Sequence, residues 1–337
     1  MSMPGTPLVS VLTPVFNGAA FLAACTESVL AQTYRNYEYI IVNNCSTDRT
    51  PDIALGYAQK DARIRVHNND TFLGVIENHN LAFSLISPAS KYCKVVSADD
   101  FIFADCLMRM VAFAEANPSV GMVGSYLLAG KKVLCDGLEY ERKVVNGPEI
   151  CRATLLGGPY VFGSPTSLLY RADLIRASKP FYPTSNPHAD TTACYRSLEH
   201  CDFGFVHQVL SHAGIHADSQ TSRSIKFGTI KRAAIADVAR FGPKYLSQDE
   251  LKRRVAFLLD DYYGWLVPAL FEQSRNKEFW RLQKAGLEEI GLKFSFARLL
   301  KAALWSGLKL LLRPDTALKK LWAFKRDTGK IEAQYYQ

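Results

Sequence analysis

Two adjacent carboxylates, Asp99 and Asp100, follow the apolar pair Val95 and Val96 in the stretch KVVSADDFIF, residues 94–103. Two acids at the end of a buried strand repel each other, and burying either one is costly. A solvated acidic turn would avoid that cost. The alternative is a divalent cation, Mn2+ or Mg2+, held by hard carboxylate oxygen together with a diphosphate. Such an ion neutralises the charge that builds on a leaving diphosphate. Two more polar clusters follow apolar runs. VLTPVFNG, residues 11–18, ends in Pro14, Phe16 and Asn17 and reads as a strand closing in a turn. It lacks the G-x-G-x-x-G spacing of a dinucleotide-binding turn. IIVNNCSTDRTPD, residues 40–52, offers Ser46, Thr47 or Asp48 as a helix cap. Capping leaves Asn43 and Asn44 unexplained, and amides at a strand end can bond the edge of a nucleobase, donor to acceptor and back.

These side chains need elements to carry them. LVSVLT (8–13) is a continuous β-branched and apolar run, as a strand covered on both faces requires. A helical pattern follows over about 19–31, then the strand YEYIIV (37–42). A helix starts in STDRTPDIALGYAQK, with Pro51 in its first turn. RIRVH (63–67) reads as a short strand, 74–86 as a helix, and KYCKVV (91–96) as the strand that delivers the acids. A helix over 103–118 stopped by Pro118 and the strand VGMVGSYLL come next. Strands and helices alternating at these lengths predict an α/β domain with a mostly parallel sheet, Rossmann-like, with ligands at the carboxyl ends of the strands. Residues 126–165 read as an excursion or hairpin, 166–175 as strand then helix, 188–201 as a short helix, and 203–216 as one or two strands. From about residue 225 the pattern is helical, with Pro314 dividing 296–329 in two.

Composition narrows the class. The 337 residues are 48% hydrophobic, enough for a large core. Eight cysteines without a C-x-x-C pair match neither a zinc framework nor a disulfide scaffold, and a reduced, cytoplasmic setting is expected. The opening MSMPGTPLVSV shows no signal-peptide pattern, and no long uncharged apolar stretch predicts a membrane span. Charge is uneven. Residues 1–225 carry 18 Lys+Arg against 20 Asp+Glu, and residues 226–337 carry 22 against 12. The basic character therefore belongs to the C-terminal third.

In order and spacing, PVFN, NNCSTDRT, SADD, ADTTACYR (189–196) and HADSQTS (216–222) resemble the inverting glycosyltransferases of family 2. The resemblance covers about residues 8–225. It implies a GT-A fold over 1–225 with a helical extension over 226–337, and transfer of a sugar from a nucleotide-diphosphate sugar, a UDP-sugar being expected. Carried over by position, Phe16 packs on the nucleobase, Asn43 and Asn44 read its edge, Asp99 binds the ribose and Asp100 the divalent cation. Asp190 falls on the catalytic base, with Arg196 six residues on; a helix cap is the other reading of Asp190. His216 falls on a histidine that reaches the metal or diphosphate in some relatives. Pro14, Asn17, Ser46 and His79 fall among the donor-binding positions. The departures are Asn43 and Asn44 for acids, Ser97 for the first acid of D-x-D, His79 where relatives often carry Arg, and Gly214 where they often carry Arg or Tyr. Q-x-x-R-W is absent, which implies single-sugar addition. The implied acceptor is a hydroxyl of a glycan or lipid-linked saccharide in surface-polysaccharide assembly.

Two rivals follow from the same residues. A sugar nucleotidylyltransferase needs a Gly-rich loop with Arg and Lys after the first strand, which PVFNGAAFL lacks. A catalytically degenerate member would bind a nucleotide-sugar or act as a scaffold. The basic tail over 296–329 reads either as a helix lying on an anionic membrane at the inner face of the plasma membrane, or as a bundle packing on the main domain or in a homo-oligomer. No nucleic-acid reader motif is present.

Overall fold

The computed structural model describes residues 6–184, 188–216, 224 and 227–312, with side chains described up to 308. The chain divides into two compact units, Met1–Ile215 and His216–Gln337.

The first unit is built on one sheet. Its elements are β1 (Leu8–Val15), α1 (Leu22–Leu30), β2 (Tyr37–Asn43), α2 (Thr50–Ala58), β3 (Ile64–Asn68), α3 (Val75–Ser84), β4 (Ser90–Val95) and β5 (Phe101–Ile102). Then come α4 (Cys106–Ala116), β6 (Val120–Ala129), β7 (Lys132–Leu134), β8 (Val144–Val145), α5 (Gly147–Leu155), β9 (Leu168–Arg171), α6 (Ala172–Ala177), α7 (Ala189–Ser197) and β10 (Asp202–Ala213). The order across the sheet is β3-β2-β1-β4-β9-β6-β10-β5, with β7 on β6 and β8 on β10. β3, β2, β1 and β4 pair in parallel, as do β6 and β10. β9 is antiparallel to both neighbours, so β4 and β6 still point the same way.

The strands are apolar because both their faces are covered. Val9, Val11 and Leu12 of β1 and Tyr39, Ile40, Ile41 and Val42 of β2 are fully buried, odd and even positions alike. Helices supply the cover: Leu22, Cys25 and Val29 of α1 and Leu107, Met110 and Val111 of α4 join the same core. The α/β architecture expected from the sequence is the one observed. The expected excursion is a hairpin, β6–β7, turning at Gly130 with φ 59°, followed by the unanticipated α5. The stretch after 201 is a single strand, β10, bent where its register against β6 shifts near Val206–Ser211.

The second unit is helical: α8 (Thr229–Tyr245), α9 (Gln248–Leu266), α10 (Ala269–Glu272), α11 (Lys277–Glu288) and α12 (Phe296–Leu312). Ser247 and Glu250 form a reciprocal capping box at the start of α9. Gln283 of α11 is fully buried, and its Oε1 accepts from Tyr262 Oη at 2.9 Å and from Arg232, joining α8, α9 and α11. Ser295 N donates to Tyr263 Oη at 2.7 Å, and Leu299 is buried at the start of α12. The second half of the basic tail, with Pro314, lies outside the described residues, as do residues 217–222 of the HADSQTS stretch.

Candidate active site

The acids sit where β4 ends. Val96 N donates to Leu12 O at 2.9 Å, and Thr13 Oγ1 donates to Val96 O at 2.8 Å. The ends of β1 and β4 are thereby tied together. The chain then turns, with Asp100 N donating to Ser97 O at 2.9 Å. Asp100 is only 7% exposed, and both its oxygens are engaged. Oδ2 accepts from Thr166 Oγ1 at 2.5 Å, and Oδ1 accepts from Gly214 N at 3.0 Å. Asp99 is the more exposed of the pair. Burial first, and the Asp99 charge second, push the Asp100 carboxyl up to about 7. Ionising both acids at once is therefore disfavoured in the site without a ligand. Gly214 has no room for a side chain: a Cβ there would lie 2.2 Å from Asp99 O. Its absent side chain is the cost of bringing β10's end against the acidic turn.

Beneath the pair lies a lysine that the sequence pattern hid. Lys94 of β4 is fully buried, and its Nζ donates to Thr166 O at 2.6 Å. Burial pulls its pKa down, and the nearby Asp100 charge opposes that pull. Thr166 is thus held by Lys94 through its carbonyl and holds Asp100 through its hydroxyl.

The first two polar clusters bind chiefly to each other. Asn17 adopts φ 48°, a left-handed conformation that asparagine tolerates. Its Oδ1 accepts from Thr47 N at 2.8 Å, and its N donates to Ser46 Oγ at 2.9 Å. Gly18 N donates to Thr50 Oγ1 and Ala19 N to Asp48 Oδ2, at 2.9 and 3.0 Å. Asn43 and Asn44 turn inward. Asn43 donates to Asn68 Oδ1 at 2.9 Å and accepts from Ser46 N at 3.2 Å. Asn44 donates to Leu73 O at 2.8 Å and accepts from Leu73 N and Asn69 Nδ2, both at 2.9 Å. Both residues are buried, so these amides fix the loops after β2 and β3. Pro14 lies within β1.

What faces outward is aromatic. Phe16, after β1, is 48% exposed, and Phe72, after β3, is 61% exposed; their rings meet edge to face with centroids 4.9 Å apart. Sequence spacing gave no sign of Phe72, because its neighbour is 56 positions away.

A second group forms around α7. Asp190 is in its first turn, where Oδ1 accepts from Thr191 N at 2.8 Å. Thr191 Oγ1 is 2.7 Å from Tyr160 Oη. His79 stacks on Tyr182 at 5.7 Å, and Asn80 exchanges two hydrogen bonds with the Tyr182 backbone, at 2.7 and 2.8 Å. The Asp190 charge acts on His79, Tyr160 and Tyr182 together. His79 Nδ1 is 2.8 Å from Val75 O, so that nitrogen carries the proton. Burial lowers the ring's pKa and favours the neutral form, so His79 brings no fixed cation. Arg196 donates to Pro180 O at 3.1 Å and to Phe181 O. The segment 160–167 links the two groups, with Tyr160 beside Thr191 at one end and Thr166 on Asp100 at the other. It lies across the end of a stretch for which the sequence suggested only an excursion.

Among the described residues no three His, Cys, Asp or Glu side chains converge to hold a metal alone. The oxygen chemistry of Asp99 and Asp100, and the raised Asp100 pKa, fit a divalent cation that a diphosphate helps to hold. His216 opens the second unit.

Comparison with known proteins follows this geometry. The glycosyl transferase family 2 profile matches residues 10–177. An uncharacterized glycosyltransferase of Haemophilus influenzae is 28% identical over 195 residues, which is 56% of this chain and 59% of that protein. A PGL/p-HBAD biosynthesis glycosyltransferase of Mycobacterium bovis is 30% identical over 169 residues, 49% of this chain and 65% of that protein. The chain thus spans less than two thirds of the length of either relative. Among solved structures, S. aureus TarS 1–349 in complex with UDP-GlcNAc superposes with a TM-score of 0.62 at 16% identity, covering 84% of this chain and 80% of that one. The Pyrobaculum calidifontis mannosyltransferase PcManGT, in complex with GDP-Man and Mn2+, gives 0.54 at 15% identity over 95% and 85%. At such identities these two likenesses speak for the GT-A fold.

Proposed function

The chain belongs to glycosyl transferase family 2, and on that premise we propose that it is an inverting transferase. It moves one sugar from a UDP-sugar to a hydroxyl of a glycan or lipid-linked saccharide in surface-polysaccharide assembly. The observation that carries this reading is the strapped pair of carboxylate groups. Asp99 and Asp100 lie at one end of the segment 160–167, and Asp190 lies at the other.

In this reading the nucleobase packs against Phe16 and Phe72, since the amides of Asn43 and Asn44 are committed to the loops. The diphosphate lies over the turn at Asp99 and Asp100, the more exposed Asp99 facing it. Asp100, braced by Thr166 and Gly214, fixes the shape of the turn and would be the carboxylate that holds a divalent cation there. A divalent cation bound there with the diphosphate would neutralise charge on the leaving group. Asp190 accepts the proton of the attacking acceptor hydroxyl. Its hydrogen bond from Thr191 N holds the carboxylate in place. Tyr160 Oη lies 2.7 Å from Thr191 Oγ1 beside it, and the Asp190 charge helps keep that hydroxyl neutral. Positioning of both substrates supplies much of the remaining acceleration.

Base stacking gives one quantitative expectation. Phe16→Ala and Phe72→Ala each weaken UDP binding by about tenfold or more, the order of one base–aromatic contact, while Phe72→Tyr retains it. Calorimetric titration of UDP in the presence of Mn2+ checks this.

The reading as a whole is tested by incubating the protein with a panel of UDP- and GDP-sugars, with Mn2+ or Mg2+, and measuring nucleotide release. Release from one UDP-sugar, faster with a saccharide acceptor, supports a transferase. Nucleotide binding with no release from any donor would instead favour a degenerate binding protein, the role that Ser97 and the neutral His79 would suit.

A further inference from the structure

We propose that α12 docks the protein on a membrane surface rich in anionic lipid headgroups. Phe296, Leu300, Leu304 and Leu308 recur every fourth residue and are 43–67% exposed. At 3.6 residues per turn they form one stripe covering about a third of the helix circumference. The helix already has a packing face: Leu299 is buried, and Ala302, Ala303 and Ser306 are half-buried beside it. The exposed stripe is therefore a second apolar face, distinct from the one that holds α12 in its unit. Trp305 is 57% exposed, and an indole suits the boundary between hydrocarbon and headgroup.

Charge says what the stripe fits. Lys301 is exposed on the same helix, as is Arg298, whose Nη1 lies 3.5 Å from Asp260 Oδ1, and Lys284 lies 5.2 Å from the Phe296 ring centroid. The sequence continues with Lys309, Arg313, Lys319, Lys320, Lys325 and Arg326, while Asp315 is the sole acid in 296–326. An exposed apolar stripe on a segment whose sequence is so rich in cations matches hydrocarbon beneath anionic headgroups. Among the described residues no helix is long and apolar enough to cross a membrane, and one exposed apolar stripe beside a separate packing face suits a helix lying in the interface. The docking itself needs no transfer activity, so the two readings fail separately.

The test is flotation of the full chain with vesicles of phosphatidylcholine alone, or of phosphatidylcholine with about a third phosphatidylglycerol. The wild type is expected to float with the anionic vesicles about tenfold more than with the neutral ones, and less at high salt. The double variant Leu300→Glu, Leu304→Glu should lose that binding by about tenfold, with its thermal unfolding unchanged because both side chains are exposed. Lys301→Glu is a milder check, reducing the preference for anionic vesicles. Absence of vesicle binding would overturn the proposal, as would equal binding to both vesicle types or binding unaffected by the double variant. A dimer in light scattering that the double variant dissociates, with no vesicle binding, would assign the stripe to a second copy of the chain.

Discussion

Asp190→Asn is expected to lower sugar transfer by about 10²–10⁴-fold, the usual contribution of a general base, while UDP affinity stays within about twofold of wild type. The substitution preserves shape. An asparagine Oδ1 can still accept from Thr191 N, the 2.8 Å bond that fixes the Asp190 rotamer. It cannot take a proton from an attacking hydroxyl. The loss should therefore fall on kcat, with KM for the donor little changed, because Asp190 lies with the α7 group rather than with the aromatic pair or the acidic turn. Steady-state kinetics on purified wild type and variant, with circular dichroism to confirm the fold, make the comparison. Wild-type turnover in the variant would remove Asp190 from the mechanism.

Asp100→Asn should eliminate metal-dependent nucleotide binding and also flatten a stability profile. The Asp100 carboxyl has its pKa raised from 3.8 to about 7 by burial and by Asp99. The folded state thus holds its proton more tightly than the unfolded chain. The stability this group contributes is fully present below about pH 4 and is lost as pH rises through about 7. About three pKa units correspond to roughly 4 kcal/mol. Without ligand, wild type should therefore lose stability relative to Asp100→Asn between pH 5 and 8, in the order of a few kcal/mol by chemical denaturation. The asparagine keeps an acceptor for Gly214 N or Thr166 Oγ1 but carries no charge to desolvate. Mn2+ with UDP should restore the wild type at pH 8 and leave the variant unmoved. Parallel profiles for the two proteins would show that Asp100 is not the strained group.

Much of this organisation was legible in the chain. Where a strand is buried on both faces, the sequence must be apolar at odd and even positions alike, and LVSVLT and YEYIIV are. The polar clusters at the ends of those runs then had to lie on one edge of the sheet. Direction was harder to read. Asn43 and Asn44 looked like base readers because amides at a strand end can face a ligand. Here they face Asn68, Asn69 and Leu73, and partners about 25 positions away leave no local trace. Lys94 was hidden for a related reason. A lysine in an apolar strand suggests an exposed edge, since lysine is rarely buried, and only the Thr166 carbonyl explains it. Phe72 and Tyr160 come from loops and Thr166 from the 3-10 turn Pro165–Ser167, segments whose composition carries no periodicity. The strap over 160–167 that joins the two acidic groups therefore became visible only in three dimensions. The proposed metal ligands, base contacts and Asp190 role rest on position and geometry together.

The most direct test of a nucleotide-sugar site at Asp99 and Asp100 is thermal stability against nucleotide and metal. A ligand that binds only the folded chain stabilises it by about 2.7 kcal/mol at a hundred times its Kd. The account predicts that UDP and Mn2+ together raise the Tm of the wild type well beyond either alone, and that Asp100→Asn abolishes the rise. A folded sample whose Tm no nucleotide moves, with or without Mn2+ or Mg2+, would contradict it.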